Sequence, residues 1–127
     1  MPHSCNSATV LIAEYDYVNR LLMEGILKGE NLRTFFASNG HEAVSMVENH
    51  PEISLVLMDI NMPVMNGYDA TRMIKQLRPE LPVIAQTAFT SKEEKEKAID
   101  AGCDGFITKP INKNELLGLM QSLLLKQ

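Results

Sequence analysis

The stretch "SLVLMDINMPVMNG", Ser54 to Gly67, decides how the rest of the chain is read. Leu55–Met58 is an unbroken apolar run, too short for a helix and ended by the acid Asp59, so it reads as a buried strand. A loop with Asn61 and Pro63 follows. Asn66-Gly67, with Asp69 three residues after the asparagine, then looks like a helix start. A strand that is apolar on both faces belongs to a parallel sheet covered by helices.

The same unit recurs on either side. Further short apolar runs lie at Val10–Ala13, Thr34–Ala37, Val83–Ala85 and Gly105–Thr108, each bounded by polar or turn residues. The stretches between them carry helical spacing. Ala70, Met73, Ile74 and Leu77 form one stripe, and Leu116, Leu117, Met120, Leu123 and Leu124 form another. Asn39 with Glu42, Ser91 with Glu94 and Asn112 with Glu115 each set a capping side chain three residues before an acid. Gly102 stands where the fourth helix should end in a left-handed residue. "KEEKEK", Lys92 to Lys97, reads as a solvated helix face with i,i+4 ion pairs.

Strict alternation of five strands and five helices implies a single doubly wound α/β domain with a parallel sheet, for which the flavodoxin-like order 2-1-3-4-5 is the common one. It spans residues 9–125, after a disordered lead-in over residues 1–8. The composition agrees with such a domain. The chain has 127 residues, 45% hydrophobic and 22% charged, enough to bury about two-thirds of the unfolded surface. A net charge of −4 argues against a nonspecific nucleic-acid partner. No apolar stretch approaches the ~20 residues of a membrane helix, and "MPHSCNSA" lacks the regions of a signal peptide. Cys5 and Cys103 make no CxxC, and His3, His41 and His50 show no ligand spacing, so a reduced cytoplasmic protein without structural zinc is expected.

Ligands of such sheets bind beyond the carboxyl ends of the strands, at the switch between strands 1 and 3. Glu14, Tyr15 and Asp16 follow strand 1, Asp59 and Asn61 follow strand 3, Thr87 and Ala88 follow strand 4, and Lys109-Pro110 follows strand 5. Singly, each has an ordinary explanation as a turn, cap or surface residue. Jointly they would bring three carboxylates, a hydroxyl and an ammonium to one sheet edge. Clustered carboxylates repel, and a hard cation such as Mg²⁺ relieves the repulsion with one or two carboxylates, waters and phosphate oxygens. An ionised Asp can attack phosphorus, and the transfer rests on positioning and charge neutralisation.

With these residues in place, the chain resembles the receiver domain of two-component response regulators over about Thr9 to Leu125. The resemblance rests on "LVLMDINMPVMNG", Thr87-Ala88 and Lys109-Pro110, in order and at family-like spacing. It implies that Asp59 accepts a phosphoryl group from a histidine kinase or a histidine phosphotransfer domain, with Mg²⁺ held by Glu14, Asp59 and the Asn61 backbone carbonyl. Thr87 and Lys109 would contact the phosphoryl oxygens, and the Lys109-Pro110 bond is expected to be cis. Phe106 matches the aromatic switch position, either as a ring biased by packing or as a static half-buried one. A homodimer through the helix 4–strand 5–helix 5 face is a further expectation. The reaction would be phosphoryl transfer to the protein itself, with no turnover of a free substrate. "AE" followed by Asn19 resembles receivers attached to hybrid histidine kinases, so the chain reads as a piece of such a kinase or as a stand-alone regulator.

One residue departs from the family. Tyr15 occupies the second position of its acidic pair, and a phenol is a poor substitute for a carboxylate on a hard cation. Loss of that ligand is expected to weaken metal binding by at least the ~10–100-fold typical of a lost supporting partner. Asp16, one residue on, is either a cap of the first helix or an assisting metal carboxylate. Tyr15 also keeps open a pseudo-receiver, an interaction module that exchanges no phosphoryl group. A dehalogenase-type phosphatase is disfavoured because Asp59-Ile60-Asn61 lacks a second acid. No GxxxxGK[ST] nucleotide loop is present.

Overall fold

A computed structural model describes residues 8–88 and 91–125. The elements alternate as β1 (Thr9–Ala13), α1 (Tyr17–Leu27), β2 (Arg33–Ala37), α2 (Gly40–Asn49) and β3 (Ile53–Asp59). They continue as α3 (Gly67–Leu77), β4 (Val83–Thr87), α4 (Lys92–Ala101), β5 (Gly105–Thr108) and α5 (Lys113–Leu124). The strands form one parallel sheet in the order β2-β1-β3-β4-β5. Most of the lead-in expected at residues 1–8, including Cys5, lies outside the described residues. Ala8 is buried, and its carbonyl accepts the Arg33 N–H at 3.0 Å.

Apolar side chains on both faces of the strands divide the core in two. Val10, Ile12, Leu55, Leu57, Ile84 and Ile107 pack against α1 and α5 through Met23, Leu27, Leu116 and Met120. Leu11, Ala13, Val56, Met58 and Val83 pack against α2 and α3 through Ala43, Val47, Ala70 and Ile74. Full burial of a Val, Leu or Ile side chain is worth roughly 1.5–3 kcal/mol, so these two layers supply most of the hydrophobic stabilisation. α4 is held more lightly, since it buries only Ala98 and Ala101, and Ile99 is exposed. A hydrogen bond from the Tyr68 hydroxyl to the Glu94 carboxylate ties α4 to the start of α3.

The helix starts follow the capping pattern. Asn39, Asn66, Ser91 and Asn112 each accept the backbone N–H three residues on. Gly102 ends α4 at φ 103°, a conformation that a β-carbon would strain.

Three expectations need correction. The α3 stripe was expected to bury Met73 and Leu77, yet both are exposed, while Gly67, Ala70, Thr71 and Ile74 form the buried face. That set keeps the same spacing but is rotated around the helix, so that fully buried Thr71 faces inward in place of Met73 and Leu77. The ion pair on α4 joins Glu94 to Lys97 at i,i+3 rather than i,i+4. Strands 3 and 4 also run further than the apolar runs suggest, so Asp59 and Thr87 are the last residues of β3 and β4. The ladder continues because Ile60 N–H donates to Gln86 O and Lys109 N–H donates to Thr87 O.

Candidate functional site

The longer strands matter because they lock the site residues into the sheet. Glu14 N–H donates to Ala37 O at 2.8 Å, which holds the first residue after β1 in register. Asp59 pairs with Gln86 across the ladder, and its Oδ1 accepts the Asn61 N–H at 3.2 Å. Gly67 lets the loop fold back on this strand end, where an added β-carbon would sit 2.4 Å from the Asp59 carbonyl oxygen. Its N–H donates to Ile60 O, so the glycine is required by close backbone approach.

The carboxylates of Glu14 and Asp59 are 1% and 2% exposed by residue, and Lys109 reaches both. Its Nζ lies 3.3 Å from Asp59 Oδ1 and 3.5 Å from Glu14 Oε1. Two buried acids facing one ammonium leave an excess of negative charge. The Glu14 carboxyl is accordingly pushed up to about 7, first by burial, then by its hydrogen bond with Asp59 and by that neighbour's charge. The Lys109 ammonium and the Asp16 N–H draw it back part of the way.

This trio is the part of the expected constellation that the fold brings together most tightly. Thr87 is fully buried at the end of β4, opposite Thr108. The peptide bond between Lys109 and Pro110 is cis. Asp16 is exposed, and its side chain caps α1 by accepting the Val18 N–H at 3.1 Å, while its own N–H donates to Glu14 Oε2. The expected third carboxylate is therefore turned to the helix, and among the described residues no three His, Cys, Asp or Glu side chains are grouped to hold a metal. Tyr15 is 61% exposed. Phe106 is half-buried on the α4 side, packed with Ile60, Ala85 and Ala98. The ammonium of Lys95 lies 6.0 Å from its ring centroid. Cys103 is free and half-buried, with its thiol pushed up to about 11 by burial.

The donor set fits a hard divalent cation. Two touching carboxylates, one of which keeps its proton until about pH 7, offer a site where a cation can replace that proton, and Mg²⁺ takes one or two carboxylates with water. Gln86 escaped the sequence reading. The signal was there, as an amide in a strand whose other residues are apolar or belong to the site.

Comparison with known proteins agrees with this geometry. Residues 10–121 match the family model of the response regulator receiver domain. The chain is 36% identical over 121 residues to the autoinducer 1 sensor kinase/phosphatase LuxN of Vibrio campbellii, covering 94% of this chain and 14% of that protein. It thus spans a small part of such sensor kinases, and 5% of hybrid signal transduction histidine kinase M of Dictyostelium discoideum. Among solved structures, the receiver domain of a sensor histidine kinase from Pseudomonas aeruginosa superposes with a TM-score of 0.86 at 29% identity, covering 93% of this chain and 98% of that one. That structure holds a magnesium ion in its active-site cleft. The receiver domain of Ssk1 from Saccharomyces cerevisiae, crystallised with the histidine phosphotransfer protein Ypd1, gives 0.80 at 27% identity, covering 92% and 86%.

Proposed function

We propose, from the premise that this chain belongs to the response regulator receiver family, that it carries signal by transient phosphorylation of Asp59. Receiver domains are signalling modules of two-component systems. The observation that carries the finer reading is the Lys109 ammonium between Asp59 and Glu14 at the carboxyl edge of the sheet. An Asp59 carboxylate oxygen attacks the phosphorus of a phosphohistidine. The new O–P bond forms as the P–N bond breaks, and the nitrogen keeps the electron pair. Lys109 neutralises charge on the phosphoryl oxygens, and Thr87 offers its hydroxyl to one of them. Glu14, Asp59 and the Asn61 carbonyl would hold Mg²⁺, which when bound supplies charge neutralisation for the incoming group. Asp16 assists by holding Glu14 through its N–H.

The donor is a histidine kinase or a histidine phosphotransfer domain. The apolar side chains exposed on α1, among them Tyr17, Val18, Leu21 and Leu22, flank the site and give such a donor a surface to cover. Phosphorylation adds about −1.5 to −2 charge beside Lys109 and Thr87. Their movement reaches Phe106 and the α4–β5–α5 face, which also serves as the homodimer surface.

Exposed Tyr15 favours one second reading, a pseudo-receiver that recognises partners without exchanging phosphoryl groups. Incubation with a phosphorylated histidine phosphotransfer domain separates the two. Label should move to wild type and not to Asp59→Asn. Retention of the label by the donor with every histidine phosphotransfer domain tried would leave the pseudo-receiver.

A further inference from the structure

α4 is the one helix that buries no side chain larger than alanine. Ala98 and Ala101 remove little apolar area from water, so polar contacts weigh more in fixing where this helix lies. Its first turn supplies them. The Tyr68 hydroxyl, at the start of α3, donates to the Glu94 carboxylate and lies 3.4 Å from the Glu94 carbonyl oxygen. The next residue, Lys95, sets its ammonium 6.0 Å from the Phe106 ring centroid. Both rings belong to one small apolar cluster with Ile60, Ala85 and Ala98. Ile60 directly follows Asp59, and Ala85 lies two residues before Thr87. The cluster therefore links the strand-end site to α4, and consecutive residues of the helix hold its two rings.

We propose that the Tyr68–Glu94 hydrogen bond is an autoinhibitory contact, which holds α4 in place and disfavours the rearranged state that a phosphoryl group on Asp59 would favour. The inference rests on the reading of Asp59 as phosphoacceptor. A hydrogen bond to a carboxylate is about twice as strong as one between neutral groups. Burial, and then the Glu94 carboxylate, push the Tyr68 hydroxyl up from its ordinary range, so it stays protonated and donating. Lys97 lies 3.9 Å from the other carboxylate oxygen but is mostly exposed, so solvent screens that pair and Tyr68 is the stronger hold. A phenyl ring would fill the same space in the cluster, so the hydroxyl adds a constraint that packing does not need. A contact made in only one of two helix positions shifts the balance toward that position. Binding at Asp59 that favours the other position must work against it, and loses affinity by the same factor.

The test compares wild type, Tyr68→Phe and Glu94→Gln. Amide hydrogen exchange is measured without any phosphoryl donor, and beryllium trifluoride, a phosphoryl mimic, is titrated at saturating Mg²⁺. Tyr68→Phe keeps the ring and loses the donor, whereas Glu94→Gln keeps an acceptor and loses the charge. Exchange in α4 should quicken at least about tenfold in Tyr68→Phe and less in Glu94→Gln, with α1 and α5 unchanged. Beryllium trifluoride should bind Tyr68→Phe at least about fivefold more tightly than wild type, with Glu94→Gln between them. Unchanged exchange in α4, or equal acceleration in every helix, would overturn the proposal, because the bond would not be holding this helix. Faster exchange in α4 with equal or weaker affinity would overturn it too, leaving a structural brace. Absence of binding by wild type and both variants would instead overturn the phosphoacceptor reading, and the autoinhibitory role with it.

Discussion

Glu14 is a buried acid in surroundings far from those of a free side chain. Its carboxyl is raised from 4.5 to about 7, so the folded protein holds a proton that the unfolded chain releases earlier. Protonation therefore favours the fold, and that contribution is complete below about pH 4.5 and lost as pH rises through 7. Urea unfolding in divalent-free buffer should show wild type losing of the order of 2–3 kcal/mol between pH 5 and pH 8. Glu14→Gln should remove most of that loss, and an unchanged slope would show that another group carries the proton. Tyr15 is the neighbouring residue-scale question. Its ring is exposed, so Tyr15→Asp places a carboxylate where the family has one without disturbing the core. Calorimetric titration should find Mg²⁺ bound about 10–100-fold more tightly by the variant. Equal affinities would mean that the Glu14–Asp59 pair suffices.

At the scale of elements, the turn from β3 into α3 joins Asp59 to the scaffold. Asn66 caps α3, and Gly67 lies against the Asp59 and Ile60 backbone. Gly67→Ala forces a β-carbon toward a carbonyl oxygen that is itself part of the strand end. The expected outcome is a loss of about 1–3 kcal/mol in thermal or urea unfolding, with slower phosphorylation of Asp59. A variant of wild-type stability and rate would show that the loop yields freely. The caps were legible in the sequence because each is a local pair three residues apart, and local pairs need no knowledge of the fold. The buried face of α3 was not. Met73 and Leu77 satisfy the helical period as well as Thr71 and Gly67 do, and only packing against β3 and α2 decides which set turns inward. The ends of β3 and β4 were missed for a related reason, because Asp59 and Thr87 are polar residues retained in the ladder by their neighbours' hydrogen bonds.

For the whole molecule, alternation pointed to a doubly wound parallel sheet, whose common five-strand order is the one observed, and such a sheet collects its strand ends at one edge. Glu14, Asp59 and Lys109, separated by up to 95 residues, meet there. Asp16 could not be assigned by position, because a side chain just past a strand has no fixed direction; the structure gives it to the α1 cap. The unpaired amide of Gln86 was invisible for a different reason: whether a buried amide has partners depends on every element around it. The central claim is that this edge accepts a phosphoryl group despite Tyr15. Intact mass after incubation with a small phosphodonor, with and without Mg²⁺ and beside Asp59→Ala, tests it most directly. The account predicts a Mg²⁺-dependent gain of one phosphoryl mass in wild type and none in the variant. A gain that persists in Asp59→Ala, or no gain at saturating Mg²⁺, would contradict it.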